Sequence, residues 1–219
     1  MLLSHRAREL AVKQRTAQAN QIRGLLAEYG VILPKGIKHI KTLIAVLDQS
    51  QVKLTPKSKM IFERLYEQFK TYDEQVKTYD KEIENEANQD IRCKEIMKIE
   101  GIGPLTASAA VATIGDAKLF KNGREVSAWL GLVPKQHSSG NTIRLSGISK
   151  RGDQYVRRLL IHGARAVVKN CGRKTDRRSL WLNNKKHRSG YNIAAVALAN
   201  KNARIIWAML ATGECYRNA

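Results

Sequence analysis

Between residues 57 and 89 the apolar side chains recur at a spacing that few structures satisfy. Ile61, Leu65, Phe69, Tyr72, Val76, Tyr79 and Ile83 follow one another by steps of four and three. That is the repeat of a helix burying one seam against another helix, and at 1.5 Å per residue it predicts a coiled coil about 50 Å long. Thr55 and Pro56 supply an N-cap and a first-turn proline. Asp80, Glu82, Glu84 and Glu86 alternate by two, which scatters them around a helix axis and makes them a solvated face rather than a metal site. The expected partner is a helix over residues 2–29, closed by Gly30. Leu3, Ala7, Leu10 and Ala17 share one of its faces, continued by Ile22, Leu25, Leu26 and Tyr29. Pro34 and Gly36 mark the connection, and residues 37–47 read as a second, shorter helix. A second copy of the chain is the alternative partner.

The most specific local signal is IMKIEGIGPLTASA at 96–109. It resembles a helix-hairpin-helix: an apolar helix end, a tight turn of Gly101, Ile102 and Gly103, and a helix opened by Pro104. Glycines there let backbone N–H groups face a DNA phosphate beside a helix N-terminus, with Ile102 anchoring the turn from inside. The bland reading is an αα-hairpin with no ligand; the charge that follows favours DNA.

That charge is unevenly spread. Residues 1–95 hold 17 basic and 13 acidic side chains, 96–140 hold 5 and 3, and 141–219 hold 17 and 3, so +14 of the net +20 lies in the last segment. A polyanion is the partner such a balance suits, nucleic acid first and an acidic protein or membrane surface after it. Within the stretch GLVPKQHSSGNTIRLSGISKRGDQYVRRLL at 131–160, a Pro-bounded loop carries Ser138, Ser139 and Gly140. A short β-branched run follows, then a basic helix from about Asp153. Arg144, Lys150, Arg151, Arg157 and Arg158 are the candidate phosphate contacts, with Val156, Leu159, Leu160 and Ala164 inward and Arg157, Arg158 and Arg165 outward. The basic tract 171–188, with Trp181 in it, reads as a phosphate-tracking groove or a solvated loop, and 192–210 as a closing helix. Cys93, Cys171 and Cys215 lack metal-ligand spacing and fit a reduced cytoplasmic setting. Charges interrupt every apolar run before membrane-spanning length, so no membrane partner is expected.

With these residues laid out, the chain resembles the later part of bacterial insertion-sequence transposases of the IS110 family, in its IS1111 branch. RELAVKQRTA at 8–17, GLLAEYG at 24–30, IEGIGP at 99–104, WLGLVP at 129–134, Ser139-Gly140, ISKRG at 148–152, VRRLL at 156–160 and AVALANKN at 195–202 carry the resemblance. It implies a serine nucleophile, mapped onto Ser139 with Ser138 as fallback, that attacks a DNA phosphodiester. It implies basic roles for Lys150, Arg157 and Arg158, a structured guide RNA, and an N-terminal RuvC-like domain whose DEDD carboxylates take Mg²⁺. The expectation is of a truncated transposase that lacks this acidic domain, inactive alone, with no cofactor or metal site of its own. The reading is a mainly α protein: a coiled-coil arm at 1–90 and a helical transposase domain at 91–219 with a helix-hairpin-helix and a short β-hairpin. It acts on DNA in transposition, with homo-oligomerisation through the coiled coil. The alternative is a non-catalytic nucleic-acid-binding or oligomerisation module.

Overall fold

The computed structural model describes residues 1–44, 47, 54–139 and 142–217. Among them the fold is mainly α, with eight α-helices and one two-stranded antiparallel sheet. The chain divides into two compact units, Leu3–Glu82 and Met1–Leu2 with Ile83–Ala219.

In the first unit, α1 (Leu2–Glu28) and the leading part of α2 (Pro56–Gln89) run antiparallel. Arg15 pairs with Asp73 at 2.8 Å and Arg8 with Asp80 at 2.5 Å, so seven residues back along one helix match seven forward along the other. Thr55 caps α2 by accepting from the Ser58 N–H at 3.1 Å. The connection holds a 3-10 turn at Ile37–His39. Of the expected second helix, Ala45 and Val46 lie outside the described residues. Val31, Ile40 and Leu43 fill the core with Ile22, Leu26, Phe62 and Phe69.

Two sequence expectations change here. Ile61 is exposed and Phe62 is buried in its place, giving Phe62, Phe69, Val76 and Ile83 at a strict interval of seven. Stepping back three from Leu65, rather than four, reaches this position, where Phe62 meets the Tyr29 ring edge-on at 5.9 Å. In α1 the leading part of the expected face, Leu3, Leu10 and Ala17, is exposed and His5, Ala11, Gln18 and Ala19 are buried, while Ile22 and Leu26 of its continuation are buried as expected. Over the first five turns of α1, small residues and cross-helix ion pairs rather than the largest apolar side chains lie on the inward side.

The second unit is built around α8 (Tyr191–Thr212), whose buried Ala194, Ala195, Ala199 and Ala203 let other helices approach closely. Packed on it are α5 (Gly123–Trp129), α6 (Gln154–Asn170) and α7 (Arg177–Ser189). A Cβ on Gly123 would stand 3.1 Å from the Arg204 backbone, so α5 enters almost in contact with α8. Helices α3 (Ile91–Met97) and α4 (Pro104–Ile114) precede them. The sheet pairs β1 (Pro134–Gln136) with β2 (Leu145–Ile148) between α5 and α6. The basic tract is a 3-10 turn, Cys171–Arg173, followed by α7, whose Asp176 caps it by accepting from the Ser179 N–H. At 22 residues α8 is long and apolar enough to span a bilayer, against the expectation that charges interrupt every apolar run before that length. It is the central packing helix of this unit.

Asp73 is 6% exposed and takes Arg15, Lys41 and Lys77 at 2.8, 3.1 and 3.2 Å. Burial alone would raise its carboxyl; hydrogen bonds from Lys41, Arg15 and Lys77 outweigh this and hold it at about 2, against an ordinary 3.8. A lowered folded pKa gives stability that is complete above pH 4 and lost as pH falls toward 2, of the order of 2 kcal/mol. Circular-dichroism melts are therefore predicted to separate wild type from Asp73→Asn above pH 4 and to converge near pH 2. A gap independent of pH would assign Asp73 a packing role instead.

Candidate functional site

The hairpin that carries Ser138 and Ser139 stands on a base where two stretches of backbone touch. Gly131 and Gly152 both adopt positive φ, 71° and 81°. A Cβ on Gly152 would lie 1.8 Å from the Trp129 carbonyl oxygen, and one on Gly131 would lie 2.2 Å from that of Arg151. Only glycine fits either place. Arg157, on α6 and 7% exposed, reaches under this crossing and donates from Nη1 to the carbonyls of Leu130 and Arg151, both at 2.9 Å. The Asn200 side chain on α8 donates to the Leu132 carbonyl at 3.2 Å. These bonds fix where the hairpin leaves the helical unit.

From that base the pairing runs to the tip. The Ser149 N–H donates to the Val133 carbonyl at 2.8 Å and the Lys150 N–H to Gly131 at 3.2 Å. Pro134 faces Ile148 and Gln136 faces Leu145, with one irregular step between them. Beyond, the His137 N–H donates to Arg144 at 2.9 Å and the Thr142 N–H to Ser139 at 3.2 Å. Gly140, which the sequence reading set beside Ser139, lies outside the described residues, as does Asn141. Both serines are exposed. Gln136 Nε2 donates to the Ser138 hydroxyl at 3.0 Å, while among the described residues no side chain is bonded to the Ser139 hydroxyl.

The proposed phosphate contacts separate into three groups. Arg144 on the hairpin and Lys150 and Arg151 at its base are exposed. Lys150 has φ 56°, and among the described residues no other non-glycine has positive φ. That costs a residue with a side chain roughly 1 kcal/mol, strain of the kind held at functional positions. Arg158 is exposed, its guanidinium 5.5 Å from the Tyr155 ring centre. Arg157 is the correction: expected to face outward, it is buried and spent on two carbonyls. The apolar-inward, basic-outward pattern of α6 had no means of showing this, because the partners are backbone groups of another segment.

The turn between α3 and α4 divides similarly. Ile102 is buried, as expected of its anchor. Gly101, at φ 88°, meets α6: a Cβ there would lie 2.9 Å from the Gly163 carbonyl, and one on Gly163 would lie 1.9 Å from that of Gly101. It is a packing glycine. Gly103 is exposed, caps α4 without a side chain and has open space where a Cβ would be. Of the two, Gly103 alone is free to meet a ligand. From Gln154 to Gly163 the span along α6 is about 14 Å at 1.5 Å per residue, which measures how far this turn lies from the hairpin base. Glu100, just before the turn, pairs with Lys174 and lies 3.8 Å from Arg178, so two cations of the basic tract are already answered.

Among the described residues no three His, Cys, Asp or Glu side chains gather as a metal site. Burial pushes the Cys93 thiol up to about 11, leaving it a neutral core group rather than a nucleophile.

Comparison with known proteins converges on one group. The profile described as Transposase IS116/IS110/IS902 family matches residues 93–179, which hold the α3–α4 turn, the hairpin and α6. A probable family 20 transposase of Pseudomonas aeruginosa is 45% identical over 215 residues, 97% of this chain and 64% of the relative. The transposase for insertion sequence element IS1111A of Coxiella burnetii is 46% identical over 211 residues, 96% of this chain and 58% of the relative. That for element IS1328 of Yersinia enterocolitica is 35% identical over 212 residues, 97% and 63%. The chain thus spans about six-tenths of the length of these curated relatives.

Arg157 and Arg158 are neighbours with opposite predicted behaviour. Arg157→Met strands one buried and one part-buried carbonyl and should cost about 2–4 kcal/mol of stability, whereas Arg158→Met should cost less than about 1 kcal/mol. Thermal melts read the first effect. Gel-shift titrations against salt read the second, where loss of Arg158 should lower the slope by about one counterion. A stable Arg157→Met protein with a reduced slope would restore Arg157 to the DNA surface.

Proposed function

The chain belongs to the IS116/IS110/IS902 transposase family, and from that premise we propose that it grips DNA in transposition and presents Ser139 to a phosphodiester. One observation supports this more than any other: Ser139 is exposed on a hairpin whose base is held by Arg157, with exposed Arg144, Lys150 and Arg151 along the same hairpin. Arg144, near the serines, would neutralise a phosphate beside the scissile bond, and Lys150 and Arg151 at the base would hold the backbone farther along. The Ser139 oxygen attacks phosphorus, a phosphoserine ester forms, one phosphorus–oxygen bond to the sugar breaks, and the serine proton is carried to solvent or to the leaving oxygen. A serine hydroxyl reacts poorly until a base takes its proton, and exposed His137 adjoins the pair. Any Mg²⁺ would be held by the acidic domain that the resemblance implies.

Gly103 and the first turn of α4 supply a second, sequence-independent hold on the backbone. A structured RNA guide, implied by the resemblance, a second copy of the chain joined through the coiled coil, and the reduced cytoplasmic setting that the cysteines suit complete this reading. The other reading, a binding or oligomerisation module with no chemistry, makes the opposite prediction at one atom.

The test supplies this chain with the acidic domain of a longer relative, that relative's guide RNA, Mg²⁺ and end-labelled DNA carrying an element end. A denaturing gel is expected to show a covalent protein–DNA adduct that Ser139→Ala abolishes and Ser138→Ala largely retains. Phosphoserine mapped to Ser138 would shift the assignment by one residue. An adduct surviving the double substitution, or none with the wild-type serines, would leave only the binding module.

A further inference from the structure

The hairpin, the start of α5, α7 and the outward face of α8 enclose an open groove of about 1520 Å³, larger than the roughly 300–1,000 Å³ of small-molecule pockets. Its floor is aliphatic, lined by Leu145, Ile148, Ile193, Val196 and Ile205. Leu145 is 64% exposed and Ile193 55%, so the groove leaves large aliphatic side chains in water. The rim has one sign of charge. Arg124, Lys185, Lys201 and Arg204 line it, and no Asp or Glu is among the lining residues.

We propose that this groove receives an acidic amphipathic helix of a partner protein, its apolar stripe on the floor and its carboxylates against the four cations. Size agrees: a helix about 10 Å across fills roughly 420 Å³ per turn, so the groove takes between about three and four turns. Three turns present anchors at i, i+3, i+4 and i+7, the usual form of groove recognition. A single nucleic-acid strand is the rival polyanion, and the floor argues against it. Bases need aromatic faces to stack on, and this floor is mainly branched aliphatic. Of its two tryptophans, Trp181 has the Lys201 ammonium 5.1 Å from its ring centre, and Trp207 is tied through Nε1 to the Ala117 carbonyl at 3.0 Å. Much of the groove wall, all of α8 included, lies beyond residues 93–179, the part matched by the transposase profile. The inference does not rest on the proposed role of Ser139.

The experiment uses the full chain and a display library of 14-residue helical peptides with apolar residues fixed at i, i+3, i+4 and i+7 and the outer positions randomised. Selection should enrich Asp and Glu at those outer positions. The strongest peptide, made with a fluorophore, should bind at least tenfold more weakly to Ile193→Glu and at least threefold more weakly to Arg124→Glu, with circular dichroism unchanged. Leu145→Glu, on the hairpin side, replaces Ile193→Glu if that variant fails to fold. A 15-nucleotide oligothymidylate should not displace the peptide. The proposal is overturned by selection of neutral or basic peptides, by binding indifferent to both floor variants, or by an oligonucleotide that displaces the peptide and itself loses affinity on Ile193→Glu; that last result would make the groove a strand channel.

Discussion

The second unit depends on backbone lying against backbone where no side chain fits. Gly131 against Arg151, Gly152 against Trp129 and Gly101 against Gly163 are three such contacts. Two of them close the base of the serine hairpin and the third docks the α3–α4 turn on α6. Close approach brings peptide groups together without water, and buried peptide groups need hydrogen-bond partners. Arg157 supplies them to the carbonyls of Leu130 and Arg151. A guanidinium serves this better than an ammonium because its planar donors are already arrayed for more than one acceptor. The exposed hairpin therefore grows from a rigid foundation, and α6 ties the hairpin and the turn to one element.

Much of this was legible in the sequence, and the failures have a common cause. The seven-residue recurrence gave the long helix, and the glycine-punctuated run at 101–104 gave the α3–α4 turn, because both are local patterns. The face of α1 was misjudged since burial there follows Ala11, Ala19 and the Arg15–Asp73 pair, whose partner is 58 residues away. Arg157 was misjudged for the same reason: a basic residue on a helix is outward by default, and its carbonyl partners belong to a distant loop. Gly101 illustrates a subtler limit. A glycine required for closeness to a ligand and one required for closeness to another helix look alike in sequence. Only the 1.9 Å that would separate a Gly163 Cβ from the Gly101 oxygen tells them apart.

The positive charge of the last third of the chain does not form one surface. Arg157 serves the fold, Lys174 and Arg178 answer Glu100, Arg144, Lys150 and Arg151 stand on the hairpin, and Lys185, Lys201 and Arg204 rim the groove. Net charge drew attention to a polyanion, but the division of labour is what separates a phosphate contact from a structural one. It also lets a single unit offer two differently built surfaces, an exposed serine tip on the hairpin and an aliphatic groove to which both strands of the same hairpin contribute.

The hairpin base is bonded to the helical unit through Arg157 and Asn200, whereas the bonds of His137 and Thr142 stay within the hairpin. Hydrogen–deuterium exchange resolved to single amides measures this directly. The N–H groups of Ser149 and Lys150, bonded to Val133 and Gly131, should exchange nearly as slowly as those of α8, and those of His137 and Thr142 at least a hundredfold faster. In Arg157→Met, Ser149 and Lys150 should lose their protection before α8 does. Uniformly rapid exchange from residue 131 to residue 152 in the unsubstituted protein would contradict the account, since the serine would then have no fixed base to stand on.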